Sequence, residues 1–251
     1  MDKDPNAKTK SFWNITIESA SQILNIEIED IRAVPVQTML AESRRTSEGP
    51  SVDDKTMDKL KEVVYSNILQ FLSIEGYPSE STSDFKEANV SDLVLYIIGP
   101  IIHAVQKTGR RLRLKREKVI ISAAGPTSGR EEFVVMDRVA IGFQKFVLII
   151  EGKRGSIGRA MAQIFLAMKT ARDHNEGGIL YGFVTTGEDW RMVSYDGSEF
   201  VETDKFLVLF DTMEDGKEKW RKEYSILVDC MVAALMNGGK EKENMVARGL
   251  S

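Results

Sequence analysis

Three charged side chains interrupt two apolar stretches near the middle of the chain. Asp137 lies within a run rich in β-branched and aromatic residues, and Glu151 and Lys153 end the next such run. Residues of these types favour strands, and alternate side chains of a strand point to the same face. The pattern therefore predicts that Asp137 shares an apolar face with Val135, and that Glu151 and Lys153 share a face with Ile149.

Carboxylates in such positions need a compensating charge. An ionised carboxylate that is buried without a partner costs many kcal/mol, and two carboxylates on neighbouring strands repel each other. A divalent cation removes this conflict, and the hard oxygen ligands suit magnesium. Lys153 would face the same site, where it could neutralise a phosphate oxygen or orient an attacking water. The alternative interpretation is a structural Asp–Lys or Glu–Lys ion pair near a strand end.

The spacing of these residues resembles a known catalytic signature. Asp137 followed by Glu151-Gly152-Lys153 is similar to the D…(D/E)xK motif of the PD-(D/E)XK nuclease superfamily. The order of a long helix, a basic strand, the two motif strands and a further helix resembles the nuclease-like domains of crinkler-type effectors. The resemblance spans roughly residues 83–197. Met136 stands where the fullest form of the motif has proline.

This resemblance implies a fold, a cofactor and a reaction. The expected fold is α/β, with a restriction-endonuclease-like mixed β-sheet core flanked by helices. The expected activity is magnesium-dependent hydrolysis of phosphodiester bonds, with manganese able to substitute. The implied catalytic residues are Asp137, Glu151 and Lys153, and the implied metal ligands are Asp137, Glu151 and the backbone carbonyl of Gly152. Auxiliary roles fall to Asp92 or Glu87 on the preceding helix and to Gln163 on the following one.

A basic stretch precedes the Asp137 strand. As a strand, it places Arg111, Arg113 and Lys115 on one face, which suits the phosphate backbone of nucleic acid. Arg154 and Arg159 follow the motif and are further candidates for phosphate contact. The expected partner is double-stranded DNA. A solvated strand face and a nuclear-import signal remain alternative interpretations of the basic stretch.

Composition limits the possible classes of protein. The 251 residues carry a formal charge of −4, with one cysteine and two histidines. The single cysteine excludes an internal disulfide and a cysteine-rich zinc site, and two histidines make a histidine-based metal cluster improbable. We find no apolar run expected to cross a membrane and no signal peptide, so the expected location is intracellular, with the nucleus as a candidate compartment. A homodimer is a candidate assembly.

The domain organisation predicted from the sequence has three parts. Residues 1–80 form a mainly helical extension, residues 81–238 form the nuclease-like core, and residues 239–251 form a disordered tail. Helices are expected near residues 53–72, 84–107, 156–174 and 217–236, whereas residues 12–36 fit either a helix or a strand. The connection at Gly142 to Lys145 is too short for a crossover helix, so the two motif strands should be adjacent and antiparallel.

Two other functions fit parts of the sequence. One is a nucleotide-binding module, because Gly152, Gly155 and Gly158 follow a strand and precede a helix, as in phosphate-binding loops. Their spacing, however, matches neither GxGxxG nor GxxxxGK(S/T). A non-catalytic DNA-binding or effector module that retains the nuclease fold is the main alternative.

Overall fold

A single mixed β-sheet forms the centre of the protein. The computed structural model describes residues 10–12, 15–45, 51–78, 85–121, 127–155 and 157–241. The strands are β1 (Lys10–Ser11), β2 (Arg32–Val34), β3 (Leu112–Ile121), β4 (Thr127–Ala140), β5 (Phe143–Gly152), β6 (Leu180–Thr185), β7 (Asp189–Tyr195), β8 (Phe200–Thr203) and β9 (Phe206–Leu207). Their order is β3-β4-β5-β6-β7-β8-β2, with β1 paired to the beginning of β4 and β9 paired to β7.

Helices cover both faces of this sheet. They are α1 (Ile17–Leu24), α2 (Val36–Arg45), α3 (Asp54–Glu75), α4 (Glu87–Gln106), α5 (Ile157–Asn175), α6 (Lys217–Lys219) and α7 (Ile226–Asn237). Helices α2, α3, α4 and α7 pack into the core on one face, whereas α1 and α5 pack into the core on the other. The prediction of an α/β fold with a mixed sheet flanked by helices is confirmed at this level.

The central hairpin is formed by β4 and β5, which are adjacent and antiparallel as predicted. Ile141 and Gly142 form the turn, and Gly142 adopts a positive φ of 78° that favours glycine. The chain then crosses over through α5 to β6, which pairs parallel with β5.

Helix α4 is the most apolar long element of the core. Its 20 residues are long and apolar enough to span a membrane, so the expectation that no stretch of the chain reaches this length needs correction. Val94, Ile97 and Ile101 are fully buried, and the helix packs against α3, α7 and the sheet. Its apolar character is therefore accounted for by its place in the core.

The N-terminal segment is part of the same core. Strand β2 pairs parallel with β8, α2 packs on α7, and α3 packs on α4. Residues 12–36, which the sequence left open, contain both α1 and β2. At the other end, the Gly239 N–H donates to the Ile179 carbonyl, so the segment predicted as a disordered tail begins with placed residues. Residues 242–251 lie outside the described residues.

Candidate active site

The structure does not bring Asp137 and Glu151 together. Asp137 lies opposite Lys145 in the hairpin, and Glu151 is six residues farther along β5. Since a strand rises about 3.3 Å per residue, the two carboxylates are separated by about 20 Å along the sheet. In an antiparallel pair, residues at similar distances from the turn lie opposite each other, and Asp137 is much nearer the turn than Glu151. The prediction that Asp137 and Glu151 together bind one metal ion is therefore wrong.

Asp137 instead anchors the connection between α4 and β3. One carboxylate oxygen lies 2.8 Å from Arg110 Nε, and the other accepts a hydrogen bond of 3.0 Å from the Arg111 N–H. The Arg110 guanidinium also donates to the carbonyls of Met236 and Gly238. Asp137 thus belongs to a structural ion pair, but its partner is Arg110 and not a lysine, as the alternative interpretation had it.

A different group of charged residues surrounds Glu151 and Lys153. They line a cleft of about 400 Å³ at the far end of the hairpin, beside the beginning of α4. The lining carries five carboxyl groups and three cationic side chains: Glu87, Asp92, Glu117, Glu132, Glu151, Arg116, Arg130 and Lys153. This excess of carboxyl groups favours binding of a cation.

Glu151 and Lys153 form an ion pair on the floor of the cleft. Glu151 is 0% exposed, and its Oε1 lies 2.7 Å from Lys153 Nζ. Lys153 Nζ also donates to Glu87 Oε1 at 2.8 Å, which ties the end of β5 to the beginning of α4. Burial raises the pKa of Glu151, although the charge of Lys153 opposes this. Burial disfavours the charged form of Lys153, but the charge of Glu151 outweighs this effect and raises the pKa of the lysine.

Glu132 lies across the hairpin from Glu151. Phe133 and Ile150 are paired, and Glu132 and Glu151 are the next residues of the two strands when both are counted outward from the turn. Glu132 Oε2 accepts a hydrogen bond of 2.7 Å from the Gly152 N–H. Burial, reinforced by the charge of Glu151, raises the pKa of Glu132 to about 7. A Cβ atom at position 152 would lie 2.9 Å from this carboxylate oxygen, so a larger residue than glycine there would require the Glu132 side chain to shift.

Glu131 is a further carboxyl group next to this floor and, like Glu151, is fully buried. Neither of its side-chain oxygens accepts a hydrogen bond of normal geometry from another described residue. Burial and the charge of Glu151 raise its pKa well above the ordinary value. The buried amide of Gln163 lies close enough to favour the ionised form, but this effect is smaller.

Of the auxiliary residues predicted from the sequence, Glu87 and Asp92 lie in the cleft and Gln163 does not line it. Asp92 lies 3.7 Å from Arg116. Gln163 lies on α5 and faces Glu131 rather than Glu151 directly. Gly152 ends β5 between Glu151 and Lys153, which both line the cleft, and the role of its carbonyl as a metal ligand stays a prediction.

The predicted basic residues lie outside the cleft lining. Arg111, Arg113 and Lys115 are exposed along β3, and Arg154 is exposed after β5. The side chain of Arg159 lies outside the described part of the structure. The cationic residues that line the cleft beside Lys153 are Arg116 and Arg130, neither of which was predicted.

Glu131 and Glu132 were not predicted, although the sequence contains a signal for them. A turn at Ile141 and Gly142 places position 132 opposite position 151 when residues are counted outward along both strands. Two adjacent glutamates at that point, just before the apolar run, were therefore better candidates than Asp137.

The chemistry of these side chains fits magnesium, but their present orientation does not already form a metal site. Among the described residues, no three acidic, histidine or cysteine side chains converge on one point. Glu151 is turned to Lys153, and Glu132 is turned to the Gly152 N–H. The buried Glu131 oxygens without hydrogen-bond donors, and the hard oxygen atoms of all three glutamates, match the requirements of a divalent cation.

Comparisons with known proteins do not assign a family. No protein-family model matches the chain, and no curated protein matches it in sequence. The functional assignment therefore depends on the residues and geometry of the cleft.

Proposed function

We propose that the protein is a nuclease that hydrolyses phosphodiester bonds of DNA, using magnesium or manganese in this cleft. The observation that supports the proposal is a group of three glutamates beside a lysine, of which Glu131 and Glu151 are fully buried and Glu132 is half-buried. Glu131, Glu132 and Glu151 all have raised pKa values, so their ionised forms are disfavoured without a further positive charge. The Glu-x-Lys order at the end of β5 and the acidic residues at the beginning of β4 retain the resemblance to the PD-(D/E)XK nucleases, with Glu132 in the place first given to Asp137.

The side chains have distinct roles in this proposal. Glu132 and Glu151 would hold the ion, and Glu131 would add negative charge behind them. A magnesium ion bound there polarises a phosphoryl oxygen and lowers the pKa of its bound water. Lys153 Nζ places a positive charge on the cleft floor, where it can stabilise charge that develops on the phosphate. Arg116 at the rim can bind a backbone phosphate.

The decisive experiment compares two matched substitutions on the same hairpin. Glu151→Gln and Asp137→Asn each replace a carboxylate with an amide of the same shape, but only Glu151 lies in the cleft. We expect wild-type protein and Asp137→Asn to cleave supercoiled plasmid with magnesium, and Glu151→Gln to lose cleavage by about 100-fold or more. EDTA should abolish cleavage by the wild type.

Three results would contradict the proposal. Full activity of Glu151→Gln would remove the cleft from the mechanism, and loss of activity only in Asp137→Asn would place the site elsewhere. DNA binding without cleavage by the wild type in either metal would favour the alternative, a DNA-binding module that retains the fold.

A further inference from the structure

The tip of the β4–β5 hairpin exposes a group of large apolar side chains. Ile141 is 104% exposed, Val139 is 48% exposed and Phe143 is 39% exposed. We call these three residues the apolar tip. A hairpin turn usually carries Asn, Asp or Gly, which suit its backbone and interact well with water. Ile141 buries nothing in the folded chain, so its apolar character does not contribute to the stability of the monomer.

Positive charge surrounds the apolar tip. Residues 107–116 contain six basic residues and no acidic one, in a protein with a formal charge of −4. Arg111 donates from its guanidinium to the Val139 carbonyl at 2.8 Å, so this basic stretch is attached directly to the tip. Arg138, on the hairpin itself, is also exposed. The tip is thus an apolar projection on a cationic surface.

The basic stretch also connects the tip to the cleft. Its residues 112–116 lie on β3, the edge strand that pairs with β4, and residues 107–111 connect α4 to this strand. Arg111 contacts the tip, Arg113 and Lys115 are exposed between the two ends, and Arg116 lines the cleft. Since strands rise about 3.3 Å per residue, the path from Arg111 to Arg116 is about 17 Å long. Arg113 and Lys115 lie on the opposite face of β3 from Arg116, so a polyanion that contacts the tip, the edge strand and the cleft together must follow the outer edge of the sheet.

We propose that the apolar tip inserts between base pairs of duplex DNA whose backbone lies along β3. Apolar wedges inserted between base steps, flanked by residues that bind phosphates, are an established way of bending and anchoring a duplex. The inference rests on the proposed nuclease function for its second contact, at the cleft. Phe143 and Glu151 are eight residues apart on β5, which corresponds to about 26 Å. This length equals about seven or eight base-pair steps at roughly 3.4 Å each. The preferred substrate is thus a duplex with an easily unstacked step at this distance from the cleaved bond.

Binding experiments in EDTA test the tip separately from cleavage. The probe is a 30-base-pair DNA duplex with a central mismatch and 2-aminopurine beside it. We expect wild-type protein to bind with a rise in 2-aminopurine fluorescence, because unstacking relieves the quenching of this base. Ile141→Ser should lose the rise and bind about tenfold more weakly, with an unchanged salt dependence because no charge is removed.

Ile23→Ser is the matched control, since Ile23 is 48% exposed on α1, whose end lies beside β7 and β8, toward the opposite edge of the sheet from β3. It should bind as the wild type does. Wild-type affinity and fluorescence in Ile141→Ser would overturn the inference. So would a wild type that binds anionic phospholipid vesicles through Ile141 but does not bind the duplex, or an Ile141→Ser variant that changes only the oligomeric state.

These results separate the inference from the proposed function. If the wild type cleaves DNA and Ile141→Ser binds normally, the wedge is wrong and the nuclease function stands. If the wild type unstacks the probe through Ile141 but never cleaves DNA, the nuclease function is wrong and the wedge stands.

Discussion

At the scale of single residues, the cleft holds carboxyl groups in surroundings that oppose their ionisation. Glu132 has a pKa raised to about 7 from an ordinary 4.5, mainly by burial. The pKa values of Glu131 and Glu151 are raised in the same direction. Because each pKa unit corresponds to about 1.4 kcal/mol, keeping Glu132 ionised at pH 8 costs the folded state about 3 kcal/mol. A bound cation would remove much of this cost.

These shifts predict how stability changes with pH. A group whose pKa is higher in the folded state binds more protons there than in the unfolded state, between the two pKa values. Its contribution to stability is complete below pH 4.5 and is lost as the pH rises through the folded value, about 7 for Glu132. We expect the urea midpoint in EDTA to fall from pH 5 to pH 8, and Glu131→Gln to reduce that fall. Magnesium at pH 8 should raise the midpoint of the wild type but not of Glu132→Gln, which removes a proposed ligand. A wild-type midpoint that rises with pH over this range would contradict the assignment.

Lys153 provides a separate prediction about catalysis. Its ammonium group neutralises Glu151 and also contacts Glu87 on the floor of the cleft. Lys153→Met keeps most of the side-chain volume and removes the charge. If the lysine acts mainly on the transition state, the substitution should lower kcat at saturating DNA by about 100-fold and change DNA affinity much less. Normal turnover of a folded Lys153→Met protein would assign the lysine a purely structural role.

At the scale of elements, β3 carries the charge that we expect to bind the DNA backbone. Arg113 and Lys115 are exposed on this strand. Replacing either with alanine should weaken DNA binding at low salt and lower the slope of log affinity against log salt by about one unit. Lys59→Ala, on the exposed side of α3, is a matched control that should leave the slope unchanged. An unchanged slope for Arg113→Ala and Lys115→Ala would mean that the strand does not contact DNA.

The hairpin shows how much of the site could be predicted from the sequence. The strand types, the antiparallel pairing and the place of Glu151 and Lys153 at a strand end followed from residue patterns. The partner of Glu151 did not, because the motif spacing was applied without counting the hairpin register from its turn. The bend of the chain around Glu117, which takes a positive φ of 49°, could not be predicted, since glutamate rarely adopts this conformation. The sequence therefore did not show that Arg116, next to this bend, lines the cleft whereas Arg113 and Lys115 do not.

At the scale of the whole molecule, the N-terminal helices are part of the core that supports the cleft. The sequence suggested a boundary near residue 80, because a Ser-, Pro- and Gly-rich segment follows α3. In the structure, α3 buries Val64, Ile68 and Phe71 in the same core as α4 and the sheet. Composition marks the connection as irregular, but it does not show whether the elements on either side pack together. That depends on long-range contacts, such as those between α3 and α4, which no local pattern contains.

This packing predicts a single unfolding transition for the described core. Phe71 is 1% exposed, and its ring contacts those of Phe85 and Tyr96 with centroid distances of 6.2 and 5.6 Å. Phe71→Ala should destabilise the protein by about 3 to 5 kcal/mol, because it removes a large buried side chain and leaves a cavity. Ile74→Ala, three residues away but exposed, should change stability by less than about 0.5 kcal/mol.

The urea unfolding transition of Phe71→Ala tests whether the N-terminal helices and the sheet form one core. If residues 81–238 formed an independent domain, Phe71→Ala would unfold the N-terminal segment and leave the transition of the sheet unchanged. We expect instead that one urea transition, followed both by tryptophan fluorescence and by circular dichroism, shifts as a whole. Trp190 and Trp220 are fully buried in the core that α3 completes, so their fluorescence reports directly on it. Helix α4, which packs against α3, carries Glu87, and Glu87 holds Lys153 in the cleft. Phe71→Ala should therefore also weaken magnesium binding when the protein is close to its unfolding midpoint.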